Sequence, residues 1–142
     1  MAWLDRRFSE EGIAYWIFEG FAVDLHLGEE TRPHDDVDVA VSRDDFARAV
    51  VLLVADGWKS VSREEDHSTF VRAGDHIDLA PVGPDEPGWP PGAFGDDIGE
   101  LGEVHARVVT RAALIADKSE LREDLATRAK DAEDLRRLTR SS

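Results

Sequence analysis

Thr31-Arg32-Pro33-His34-Asp35-Asp36-Val37-Asp38-Val39-Ala40-Val41 decides how the rest of this chain is read. Its second half alternates valine with other residues, the period of a β-strand, in which residues two apart share a face. Val37, Val39 and Val41 then face one side and Asp36 and Asp38 the other, close together at one end of the strand. Two carboxylates on one face repel each other and resist desolvation, so they need solvent or a shared cation. Pro33 forces extended backbone just ahead of the acidic pair.

The chain has 142 residues, the size of one domain, and we expect residues 1–142 to form a single unit with C-terminal helices over about 110–140. A hydrophobic share of 42% is enough for a core, and a charged share of 34% is high. With 17 basic and 31 acidic residues the net charge is −14. Non-specific binding of a nucleic-acid backbone rests on Lys and Arg, so no nucleic-acid partner is expected. A cationic small molecule would be steered favourably, although solubility alone also accounts for the acidity. There is no cysteine, hence no disulfide and no thiolate metal site. The first residues lack the apolar core of a leader, and no run is long enough to span a bilayer. The expectation is a cytoplasmic protein with no membrane partner.

Outward from the acidic stretch, the apolar spacing of Trp3, Leu4 and Phe8 predicts a short helix over 2–11. Ile13 to Phe18 reads as a buried strand. Glu19-Gly20 breaks it, and Phe21 to Leu27 has helical spacing ended by Gly28. On the other side, Ser42 is placed to cap a helix over about 43–55 whose apolar face is Phe46, Ala49, Val50, Leu53 and Val54. Trp58 to Val61 reads as a strand, and Ser68 to Ala73 with His76 to Val82 as a hairpin turning at Gly74-Asp75. Residues 83–103, rich in Pro, Gly and acids, read as a loop. Val104 to Val109 is a further strand. Thr110 caps a helix to about Glu123, and a last helix covers 125–139 with Leu125, Leu135 and Leu138 inward. The pattern is an α+β fold: a mixed β-sheet with helices packed against it.

Three features carry chemistry. The turn Phe18-Glu19-Gly20-Phe21 leads from a strand into a helix N-terminus, an arrangement that suits phosphate. Asp36 and Asp38 are the second. Asp78, between Ile77 and Leu79 in a predicted strand, is the third, because a carboxylate in apolar surroundings needs a partner. If the two strands are neighbours, three carboxylates gather, and all-oxygen donors favour a hard cation such as Mg²⁺. Two such ions can clamp the attacking and leaving oxygens of a phosphoryl displacement.

Gly20-Phe21-Ala22-Val23-Asp24-Leu25-His26-Leu27-Gly28, followed by Thr31-Arg32-Pro33-His34-Asp35-Asp36-Val37-Asp38-Val39, resembles the polymerase-β-type nucleotidyltransferases. Within them it is most similar to the small antibiotic-modifying branch, the lincosamide nucleotidyltransferases and aminoglycoside adenylyltransferases. The likeness is nearly continuous over residues 13–41 and extends to Asp78 and to Arg128-x-Lys130-Asp131-x-x-Asp134-Leu135, about half the chain. It implies the nucleotidyltransferase fold and transfer of an adenylyl group from a nucleoside triphosphate, ATP first, to a hydroxyl of a small molecule such as an aminoglycoside or lincosamide. It implies two Mg²⁺ ions held by Asp36, Asp38 and Asp78, with Asp78 also the general base. Gly20, Phe21, Arg32 and Lys118 fall in the nucleotide-binding set. Lys130 and Asp131 match a family pattern whose role is open between the site and helix docking.

The chain departs from the family at Glu19, which stands where the first turn glycine would be. A negative charge about 4 Å from a phosphate costs roughly 1 kcal/mol in water and about 4 kcal/mol at an effective dielectric near 20. The alternative expectation is therefore a catalytically impaired binding protein on the same fold. The structural reading is preferred for His34 (a loop hydrogen-bonder), for His26, and for Trp16 and Trp58 (core). Trp89 is balanced between stacking on a ligand ring and plain packing. Asp96, Asp97, Glu100 and Glu103 read as a solvated acidic rim. A homodimer would supply a neighbour to wall a site on so small a domain.

Overall fold

The computed structural model describes residues 2–30, 36–63, 67–83, 89–90, 92–102, 104–118 and 125–140, without the side chains of 2, 63, 117, 118, 125–128 and 140. Helix α1 (Ala2–Glu10) lays Leu4 and Phe8 into the core. The aromatic run after it forms β1 (Tyr15–Phe18), with Tyr15 and Ile17 buried and Trp16 and Phe18 on the opposite face. The Tyr15 hydroxyl donates to Asp5 of α1, and burial pushes this phenol up from its ordinary range. It also accepts from the Arg107 N–H at 3.3 Å.

Helix α2 (Glu19–Leu27) follows β1 without a loop and ends at Gly28, where φ is 72° and the N–H returns to the Asp24 carbonyl. Strand β2 (Val37–Ser42) carries the acidic stretch. A single 3-10 turn over Arg43–Asp45 precedes α3 (Phe46–Ala55). Ser42 makes no side-chain cap. The buried side of α3 is Ala49, Leu52 and Leu53, while Val54 is 48% and Val51 68% exposed. Phe46 and Val50 also pack against the core, so the expected face holds at Phe46, Ala49, Val50 and Leu53, and Leu52 rather than Val54 completes it.

Strands β3 (Lys59–Arg63), β4 (Ser68–Arg72) and β5 (Asp75–Val82) complete the main sheet. The β4–β5 turn is Ala73-Gly74, with φ of 50° and 88°, and Asp75 already pairs with Arg72. The hairpin is as expected but turns one residue earlier, because a tight two-residue turn needs positive φ at both central positions. Residues 83–103 are not all loop. Ile98–Leu101 forms β6 and pairs antiparallel with β7 (Val104–Arg107). A four-residue strand holding Gly99 and Glu100 has too little apolar alternation to show in sequence. Helix α4 (Arg111–Lys118) begins where Thr110 Oγ1 accepts the Ala113 N–H at 3.2 Å, the expected cap. Its expected extension to Glu123 lies outside the described residues. Helix α5 (Leu125–Arg140) buries Leu138 fully and Leu135 in part.

The five-stranded sheet runs β1-β2-β5-β4-β3, with β2 and β5 parallel and every other pair antiparallel. The α+β class with a mixed sheet is therefore as expected. The core lies on the face of Ile17, Val39, Val41, Ile77 and Leu79. Helices α2 and α3 pack there, and α4 and α5 pack on α2. Among the described residues no helix is long and apolar enough to cross a membrane.

Candidate active site

Strand register brings the acidic residues together. β2 and β5 run parallel with Asp38 directly beside Asp78, and β1 places Phe18 opposite Asp38. On β4, Thr69 lies opposite Asp78. Phe18, Asp38, Asp78 and Thr69 thus form one row across four strands, on the face turned away from the core, since directly opposed residues share a face. The neighbouring valines and leucine alternate inward, which fixes the register: a one-residue slip would bury both carboxylates. Asp36, just before β2, completes the group.

One carboxylate oxygen from each of Asp36, Asp38 and Asp78 lies within 4.8 Å of the other two. Asp36 is exposed, and Asp38 and Asp78 are half-buried. At separations of 4.8 Å or less, each pair of charges repels by at least about 1 kcal/mol in water and about 3–4 kcal/mol at an effective dielectric near 20. A set of three hard oxygen donors at this spacing fits a divalent cation of the Mg²⁺ type. The Thr69 hydroxyl donates to Asp78 Oδ1 at 2.6 Å. The sequence offers no hint of it, because a threonine in a strand is ordinary β-propensity.

The turn into α2 stands at the Phe18 end of this row. Glu19 is the first residue of α2 and has φ of 61°. It therefore holds the left-handed backbone that a glycine adopts freely and a side-chain-bearing residue does not. Phe18 supplies no side-chain cap to the helix start. Gly20 and Phe21 follow in the first turn, both half-buried.

Beside the row, an aromatic wall covers β1. Trp89 meets Phe18 edge to face at 5.9 Å between centroids, Phe94 lies 5.6 Å from Trp89, and Trp16 lies 5.5 Å from Phe94. The Trp16 Nε1–H donates to the Gly95 carbonyl at 2.8 Å. Trp89 is thus a packed residue of this wall. At the start of β2 a cavity of about 390 Å³ opens, lined among others by Asp36, Trp3, Trp58 and Arg72. The Arg72 guanidinium lies over both indoles, 4.5 and 4.6 Å from their centroids.

Of the remaining expected site residues, Arg32, His34 and Glu103 lie outside the described residues. Lys118 ends α4, and its side chain is outside them as well. Lys130 is exposed on α5, whereas Asp131, Asp134 and Asp24 of α2 are buried. His26 is structural, as expected. Its Nε2 lies 2.8 Å from the Val109 carbonyl. A carbonyl only accepts, so Nε2 carries the proton. Burial pushes the imidazole pKa down, and the Val109 carbonyl and Asp97 offset this only in part. Asp96, Asp97 and Glu100 are exposed, as expected of a rim.

A family model described as "Uncharacterised nucleotidyltransferase" matches residues 1–82, which include the glycine turn and all three carboxylates. The chain belongs to this nucleotidyltransferase family. No curated protein is a significant match to its sequence. Solved structures share the nucleotidyltransferase fold. The antibiotic-resistance factor ANT(2'')-Ia superposes with a TM-score of 0.76 at 21% identity, over 96% of this chain and 78% of that one. The lincosamide antibiotic adenylyltransferase LnuA, solved with lincomycin bound, gives 0.76 at 16% identity, over 99% and 94% of the two chains. An antigenic nucleotidyltransferase-like protein from Paracoccidioides brasiliensis gives 0.69 at 15%, over 99% and 74%. This nucleotidyltransferase thus has the fold expected of it.

Proposed function

We propose that the chain transfers a nucleoside monophosphate, adenylyl first, from a nucleoside triphosphate to a hydroxyl of a small acceptor. The observation that carries this is the convergence of Asp36, Asp38 and Asp78 within 4.8 Å on the sheet face turned away from the core. The three carboxylates would hold Mg²⁺, which would supply positive charge to the phosphates and to the departing oxygen. The α2 N-terminus at Gly20 and Phe21 receives the triphosphate, with Arg32 and Lys118 adding positive charge. The acceptor oxygen bonds to the α-phosphorus, the bond to the β-phosphate oxygen breaks, and pyrophosphate leaves. Asp78 takes the hydroxyl proton as general base. Aminoglycosides and lincosamides are the first acceptors to try, because ANT(2'')-Ia and LnuA, which share the fold, are an antibiotic-resistance factor and a lincosamide antibiotic adenylyltransferase. The acidic surface also suits a cationic acceptor. Residues 1–142 act as one domain in this proposal, and a homodimer would wall the site further.

The test is ATP titration with Mg²⁺ by calorimetry, followed by mass spectrometry of acceptors. Wild type should bind ATP only with the metal and add one nucleotidyl mass to an acceptor. Asp38→Asn should cost at least about a hundredfold to a thousandfold in turnover. A folded protein that ignores millimolar ATP would end the proposal.

A second reading, a binding protein without turnover, is favoured by Glu19. It places a carboxylate at the α2 N-terminus on a glycine-type backbone. Under it, Asp38→Asn would leave every measurable property of the folded protein in place.

A further inference from the structure

We infer that Thr69 is a positioning residue for Asp78, acting through a single side-chain hydrogen bond across the sheet. The inference rests on the proposal that Asp78 belongs to the reacting centre. Asp78 is the member of the acidic trio farthest along the row from the glycine turn, with β4 as its outer neighbour. An aspartate side chain has two rotatable bonds, and Asp78 is only half-buried. Thr69 stands directly opposite it and donates its hydroxyl to Oδ1 at 2.6 Å. Because β-branching holds Thr69 to few rotamers in a strand, its hydroxyl is a stiff donor. The bond ties one carboxylate oxygen of Asp78 to β4, while one oxygen of the same carboxylate stays within 4.8 Å of ligand oxygens of Asp36 and Asp38.

The hydrogen bond does two things at once. It offsets part of the repulsion that would otherwise swing Asp78 away from Asp36 and Asp38. It also holds the carboxylate plane in one orientation. A hydrogen bond to a charged group is worth more than a neutral one, and its loss reads as about a tenfold or larger effect. Thr69 acts here through Asp78, so at saturating metal its removal should change rate more than substrate affinity.

The experiment compares wild type, Thr69→Val and Thr69→Ser in three measurements: Mn²⁺ binding by electron paramagnetic resonance, kcat and KM for nucleotidyl transfer, and thermal unfolding. Valine keeps the shape and β-branching and loses the donor; serine keeps the donor. Thr69→Val should weaken Mn²⁺ binding and, at saturating metal, lower kcat by about tenfold, with KM for both substrates within about twofold of wild type. Thr69→Ser should restore both. Equal Mn²⁺ affinity and kcat in Thr69→Val and wild type would overturn the inference while leaving the transferase proposal standing. So would a Thr69→Ser protein as impaired as Thr69→Val at an unchanged melting temperature. A wild type that neither binds Mn²⁺ nor turns over would overturn the transferase proposal, and the inference with it.

Discussion

Glu19 combines a backbone that favours glycine with a charge that opposes phosphate. A left-handed conformation costs a side-chain-bearing residue about 1–2 kcal/mol, so its φ of 61° is strained. Glu19→Gly removes both the strain and the charge. We expect it to raise stability by up to about 1 kcal/mol despite the added freedom of glycine in the unfolded chain. ATP binding should tighten about fivefold. Glu19→Gln separates the two effects: it should tighten ATP binding without raising the melting temperature. Calorimetric titration and thermal melts of the two variants provide the check. At this scale the sequence was informative where chemistry demands a residue type. Asp36, Asp38 and Asp78 stood out because carboxylates among Val, Ile and Leu require a reason. Thr69 did not, since its partner is set by a strand pairing that no local pattern encodes.

Two elements depend on α2 being docked where it is. Gly99 of β6 lies so close that an added Cβ would stand 2.5 Å from Leu25 Cβ and 2.9 Å from its carbonyl carbon. Backbone cannot give way as a flexible side chain does. Gly99→Ala should therefore destabilise by about 1–3 kcal/mol, seen as a lower urea midpoint at an unchanged slope. The C-terminal turn of α2 is tied down by His26, whose Nε2–H donates to the Val109 carbonyl. Burial holds this imidazole below its ordinary pKa of 6.5, so the unfolded chain binds the proton more readily than the folded one. The stability it contributes is complete above about pH 6.5 and is lost as pH falls through the depressed folded value. Unfolding free energy should drop more between pH 7 and pH 5 in wild type than in His26→Gln, by denaturant melts at each pH.

These elements also mark the limits of sequence reading. Segments such as α5 and the β4–β5 hairpin were legible because their spacing is set by burial on one side, whereas α2, buried at Ala22, Val23, Asp24 and Leu25 in a row, was marked by the glycines at its ends. Strand β6 was not, because Gly99 is dictated by contact with Leu25, a residue 74 positions earlier. On α3 the sequence misplaces one residue, because Leu52 and Val54 are equally apolar and only packing selects Leu52.

Across the whole molecule, the parallel pairing of β2 with β5 converts two separate sequence motifs into one site. The first was visible as Asp-Val-Asp; the second needed the crossover through α3, β3 and β4 to bring Asp78 to it. The core faces one side of the sheet and the three carboxylates the other. The most direct test of the shared-cation site is a crystal structure with Mn²⁺ and a non-hydrolysable ATP analogue, using the metal's anomalous signal. The predicted result is a Mn²⁺ peak bound jointly by Asp36, Asp38 and Asp78, with the triphosphate reaching from it to the α2 N-terminus. A bound nucleotide with no metal at these three carboxylates would contradict it.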